Sequence, residues 1–123
     1  MGRDLSLYER LGGYDAIATV ATDLVGRLKG DPQLGRFWAH RGDDGVAREL
    51  QLLIDFLCSV AGGPVYYRGR DMKLAHRGMG ITESDWDIFL GHAASTLDAF
   101  SVPAREREDV VNFVLSLKDE ILD

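Results

Sequence analysis

The sequence predicts an all-α fold, and three observations carry that expectation. Apolar residues recur at three- and four-residue steps in several separate stretches, the period of one helix face. Alternation of apolar and polar residues, the mark of a strand, is absent. Glycine and proline punctuate the chain at Gly12-Gly13, Asp31-Pro32, Gly62-Gly63-Pro64 and Val102-Pro103, where helices end or turn.

Taken in order, the first long stretch carries Ile17, Val20, Ala21, Leu24 and Leu28 on one stripe. Asp31 before Pro32 reads as a cap and a first helical position, opening a short helix toward Phe37-Trp38. The third stretch, 46–61, presents Leu50, Leu53, Ile54 and Leu57 on one face. Phe56 and Val60 widen that face, so burial on two sides is expected. Thr82 with Asp85 forms a capping pattern, after which Trp86, Phe89, Leu90, Ala93 and Leu97 continue a helix. The last helix starts near Pro103, with Glu106, Glu108 and Asp109 in its early turns, where the macrodipole favours acids. Its apolar positions are Val110, Phe113, Val114, Leu117 and Ile121.

The 123 residues fit one domain, 1–123, and 46% apolar with 28% charged residues is an ordinary globular mixture. A formal charge of −6 argues against nucleic acid as a partner, since that surface must be basic. No apolar run approaches the ~18 residues of a membrane span. Nor does the opening Met1-Gly2-Arg3-Asp4 read as a signal peptide. The expectation is a cytoplasmic protein, a monomer or weak dimer. A lone cysteine, Cys58, forms no internal disulfide and reads as a small buried hydrophobe.

The stretch from Gly63 to Gly80 differs from the rest, with adjacent tyrosines, several charges and a short helical piece from Asp71 to His76. Loops of this length inside a compact domain are usually functional or wrapped over something. A flat, apolar cofactor would fill the gap that four long helices leave open.

Three histidines, His40, His76 and His92, are too scattered for a local zinc site. Phosphate loops and serine-nucleophile motifs are missing, and the pair Asp43-Asp44 reads as a solvated turn. His76 ends its helical piece, and its second ring nitrogen is placed to donate to the Met72 carbonyl four residues earlier. By itself, a histidine at a helix end is more often a cap or a surface residue.

The ordered motifs around it raise its standing. Leu7-Tyr8-Glu9-Arg10-Leu11-Gly12-Gly13, Asp31-Pro32-Gln33-Leu34 with Phe37-Trp38, and Asp55-Phe56-Leu57 with Gly62-Gly63-Pro64 follow one another along the chain. Tyr67-Arg68-Gly69-Arg70-Asp71-Met72 and Ala75-His76-Arg77-Gly78-Met79-Gly80-Ile81 complete the set. In this order and spacing the chain resembles the truncated haemoglobins, group 1, from Leu7 to Leu122. The resemblance implies a two-over-two helical sandwich around haem b, with His76 as the protein ligand to iron. It implies a haem pocket built from Val25, Phe37, Trp38, Glu49, Leu53, Phe56, Tyr67, Met72, Ile81, Trp86 and Phe89. Tyr67, Arg68 and Lys73 become candidates to approach the haem propionates.

The departures from the family fall where a gas would bind. Leu24 and Val25 stand where the family usually has phenylalanine and tyrosine, and Leu53 stands at its common pocket glutamine. Glu49 occupies the neighbouring position one turn earlier, while Gln51 is rotated by about 200° from that face. His40 is an alternative sixth ligand, with exposure in its loop the blander reading, and His92 reads as packing or solvent contact. The implied function is reversible binding of a diatomic gas (oxygen, carbon monoxide or nitric oxide) in an apolar pocket, as in oxygen transport, with a separate reductase as partner. The alternative is a haem enzyme, a nitric oxide dioxygenase or a peroxidase.

Overall fold

A computed structural model describes residues 6–39, 42–64, 76 and 78–122. Among them the order is α1 (Leu7–Leu11), α2 (Tyr14–Gly30), a 3-10 helix (Leu34–Trp38), α3 (Asp43–Val60), α4 (Glu83–Ala99), α5 (Ala104–Ser116) and α6 (Lys118–Ile121), with no strand among the described residues. The architecture is the expected two-over-two sandwich, with α2 packed on both α3 and α4. His76 has helical backbone, while the remainder of the Asp71–His76 piece lies outside the described residues.

Helix α1 escapes the periodicity test because five residues show no repeat. Its start is nevertheless written in the sequence as Ser6-x-x-Glu9. The Glu9 amide donates to Ser6 Oγ at 3.2 Å, and the Ser6 amide donates back to Glu9 Oε1 at 3.3 Å. So short a helix is unstable alone; tertiary contacts hold it. The Tyr8 amide donates to the Ala61 carbonyl at 2.8 Å. Arg10 pairs with Glu106 at 3.1 Å and Asp109 at 2.8 Å on α5. Gly12 (φ 108°) then caps α1, and Gly13 (φ 84°) starts α2, both in backbone space that favours glycine.

The apolar stripe of α2 buries Ile17, Ala21, Val25 and Leu28. On α3, Ile54, Cys58 and Ala61 join Ile17 and Ala21 in one cluster, flanked by Leu7, Tyr8, Leu11, Leu50 and Leu57. Fully burying one such Ile or Leu contributes about 1.5–3 kcal/mol. Val60 corrects the expectation of burial: it is 45% exposed. The second face of α3 does carry apolar residues, but they line a cavity, and Val60 falls about a turn beyond Phe56 on that face.

Pro32 lies in a turn rather than in a helix. Asp31 Oδ1 accepts from the amides of Gln33 at 2.8 Å and Leu34 at 3.0 Å, so the aspartate does act as a cap. On the far side, α4 opens with the expected capping pair, the Asp85 amide donating to Thr82 Oγ1 at 3.2 Å. Lys118 binds Glu83 at 2.9 Å and ties α6 to the start of α4; Arg107 and Asp98 pair across the α4–α5 turn.

Candidate functional site: an apolar cavity with one imidazole

Between these layers lies a cavity of about 460 Å³. Protein interiors are close-packed, with few voids larger than a water molecule. This space, open to solvent over part of its surface, is far larger than such gaps. The size also falls within the range of small-molecule and cofactor sites. The cavity is a place for a ligand.

Its walls come from every layer. Leu24, Val25 and Leu28 of α2, and Leu34, Phe37 and Trp38 of the 3-10 helix, form one side. Glu49, Leu53 and Phe56 follow at four- and three-residue steps along α3, which sets all three on one stripe. Ile81 and His76 line it from the segment before α4, and Trp86 and Phe89 from α4 itself. The Trp86 and Phe89 rings are 5.4 Å apart, and Phe56 lies 6.0 Å from Phe113 of α5, so aromatic pairs are set into a largely aliphatic wall. Ten of the twelve residues expected at the pocket are thus brought to one cavity. Tyr67 and Met72 lie outside the described residues, as do His40, Arg68 and Lys73.

Met79, Asp85, Thr96 and the stripe Val110, Phe113, Val114, Leu117 and Ile121 also line the cavity, with no motif in the sequence that marks them as wall residues. That stripe was legible only as an apolar helix face, because core and cavity wall share one spacing. Gln51 stays off the cavity, as its rotation requires; its amide donates to the Tyr14 hydroxyl at 2.7 Å. His92 is partly exposed, as a packing or solvent-contact residue would be, and in addition its Nε2 lies 2.7 Å from Asp31 Oδ2.

Polar groups on the wall are few. Asp85 is 2% exposed. It receives Arg36 Nη1 and Nη2 at 3.1 and 2.7 Å, Gln33 Nε2 at 2.6 Å and the Thr82 amide at 3.0 Å. The Arg36 guanidinium, above all, holds this carboxyl well below the usual carboxylate range. The Thr96 hydroxyl donates to Asp23 Oδ2 at 2.9 Å. His76, half-buried, is the imidazole on the described wall. Among the described residues no three His, Cys, Asp or Glu side chains gather into a metal cage. The His76 imidazole is the described wall group of the kind that ligates iron in a haem site.

An all-helical sandwich around an apolar cavity, with one imidazole on its described wall, defines a globin-type site. The bacterial-like globin family model matches residues 6–123. The chain is 31% identical over 116 residues to a group 1 truncated hemoglobin, GlbN, of Mycolicibacterium paratuberculosis, covering 94% of this chain and 83% of that one. It is 29% identical over 118 residues to GlbN of a Nostoc species, covering 96% and 98%. A solved 2/2 hemoglobin from Synechococcus, in the cyanomet state with covalently attached heme, superposes with a TM-score of 0.86 at 27% identity, covering 96% and 98%. A group II truncated hemoglobin from Bacillus anthracis superposes equally well, at 0.86 and 19% identity over 99% and 94% of the two chains. The backbone thus defines the fold, and the sequence decides the group. The chain belongs to the bacterial-like globins and, among them, to the group 1 truncated haemoglobins.

Proposed function

We propose that this chain holds haem b in the cavity with His76 as its protein ligand to iron, and reversibly binds oxygen, carbon monoxide or nitric oxide there. One observation carries the reading: the histidine at the centre of the ordered motif lies on the wall of a 460 Å³ apolar cavity of globin topology. Haem supplies an iron with an exchangeable coordination position, and the chain supplies its surroundings. Phe37, Trp38, Phe56, Trp86 and Phe89 offer flat apolar contact and exclude water. Attachment is non-covalent in this proposal, since no cysteine and no histidine besides His76 lines the described wall. The apolar side chains Val25 and Leu53 favour binding over peroxidase chemistry, which needs a polar group beside the reacting oxygen.

A reductase would keep the iron ferrous, and a cytoplasmic setting suits that partnership; no described helix is long and apolar enough to cross a membrane. The family match over 6–123 supports one domain. The test is addition of hemin to the purified chain and to His76→Ala. A Soret band in the first that is lost or strongly altered in the second is expected. Equal spectra would reject His76, and no band in either would reject the haem reading. Extraction of the pigment into acidified butanone separates haem b from a covalent adduct.

A further inference from the structure

The 3-10 helix is gripped by α4, and the grip ends on a cavity residue. Asp85 projects from the first turn of α4 and is 1% exposed in its side chain, while Arg36 is 47% exposed. The two planar groups meet as a fork, Nη1 on Oδ1 at 3.1 Å and Nη2 on Oδ2 at 2.7 Å. Such bidentate pairing fixes orientation as well as distance. The same guanidinium sits over the ring of Phe37, with Cζ 4.2 Å from the centroid. Phe37 lines the cavity, and so does Asp85. A cation at that distance is attracted to the ring face, so the ring's tilt and the guanidinium plane constrain one another.

We infer that Arg36 is a positioning residue: anchored by buried Asp85, it sets the orientation of the Phe37 ring in the cavity wall and thereby the seat of the haem. The inference rests on the haem reading proposed above. Exposure supports it. A guanidinium kept only for solubility has no need of a carboxylate that is 2% exposed, and a carboxylate buried so far is retained only when paired. Gln33 adds its amide to the same carboxylate at 2.6 Å, which fixes Asp85 from a second direction. Lysine cannot replace the fork: it keeps the charge but loses the plane that meets both Oδ atoms and the ring.

The test uses hemin-loaded wild type, Arg36→Lys, Asp85→Asn, Phe37→Leu and the double variant Arg36→Lys/Phe37→Leu. Two quantities are read: haem loss to excess apomyoglobin, and the haem-methyl proton shifts of the cyanide-ligated ferric form. Arg36→Lys is expected to retain most of the urea midpoint, yet shift the methyl signals and speed haem loss by about two- to fivefold, the span of an exposed cation–π contact. In the Phe37→Leu background the same change should add little, because the ring through which Arg36 acts is gone. Unchanged methyl shifts in Arg36→Lys, or additive effects of Arg36→Lys and Phe37→Leu, overturn the inference. Should Asp85→Asn fail to fold, Arg36→Lys and the double variant decide the matter alone. Failure of wild type to take up hemin overturns the haem reading and this one with it, whereas haem-loaded wild type with indifferent variants overturns only the role of Arg36.

Discussion

The phenol ring of Tyr8 lies against the backbone of Gly63, so closely that a Cβ at Gly63 would sit 2.5 Å from a ring carbon. The contact joins the start of the chain to the turn after α3, beside the bond from the Tyr8 amide to the Ala61 carbonyl. Because the Cβ would also come within 2.8 Å of Cγ, at the root of the ring, swinging the ring tip aside gives no relief. Gly63→Ala is therefore expected to cost about 1–3 kcal/mol, the usual penalty of overpacking. Urea unfolding checks this, and the paired change Gly63→Ala/Tyr8→Ala should recover part of the strain.

A second prediction concerns the start of α4. Thr82 Oγ1 accepts from the Asp85 amide while the Asp85 side chain accepts from the Thr82 amide, so each residue satisfies a donor the helix would leave open. Thr82→Ala should lower stability by about 1 kcal/mol, and Thr82→Ser should restore nearly all of it. Thermal unfolding of the three proteins distinguishes a lost hydroxyl from a lost methyl.

How much of this was legible depended on the distance over which residues act. Thr82 and Asp85 are three apart, and their cap was readable at once. Ser6 and Glu9 have the same spacing, but α1 is too short for periodicity to point at it. Gly12 and Gly13 are expected to end or turn a helix, and they do so at positive φ; Gly63 is required for a different reason, the approach of Tyr8. His92 and Asp31 are 61 residues apart, so no local pattern foretold their 2.7 Å contact. The cavity wall was readable where the family motif named it and unreadable on α5, where lining and core have the same stripe. Val60 is exposed although its spacing predicts burial, because its stripe continues past the end of the surface it lines.

Acid should weaken the fold through three carboxyls. Asp85 is held low chiefly by Arg36, Asp31 chiefly by the hydrogen bond from His92, and Asp23 chiefly by the hydrogen bond from Arg27. A carboxyl more acidic in the fold than in the open chain contributes stability that is complete above its ordinary value of 3.8. That contribution is lost as pH falls toward the folded value. Urea midpoints should therefore be flat on the neutral side and fall below about pH 4, with a shallower fall in Asp85→Asn. A midpoint that stays level down to about pH 3 would contradict the assignment.

Cys58 is 0% exposed within the α2–α3 core, and burial, followed by the nearby Asp55 charge, raises its thiol above the ordinary value. Both effects withhold the thiolate, which is the reactive form. The native protein should react with a disulfide reagent only as fast as it opens, and one thiol should appear on unfolding in urea. Rapid titration of the native chain would show that the α2–α3 contact is looser than described.

The last prediction tests the pocket. Val25 is 9% exposed and lines the cavity from α2, at the position where the resemblance places a tyrosine. Leu53 faces the same cavity from α3. Neither side chain can donate a hydrogen bond, and oxygen held in a haem pocket draws electron density that a donor would stabilise, whereas carbon monoxide draws little. A hydrogen bond to a charged group contributes about 1.5–3 kcal/mol, or about 10- to 150-fold in affinity. Val25→Tyr in the hemin-loaded, reduced protein is therefore expected to slow oxygen release by about that factor while leaving carbon monoxide release nearly unchanged. Leu53→Gln should act in the same direction from α3. Flash photolysis and stopped-flow displacement measure both rates. If wild type already releases oxygen slowly and the tyrosine changes nothing, a donor other than these two positions serves the ligand, and Glu49, on the same α3 stripe as Leu53, is the residue to replace next.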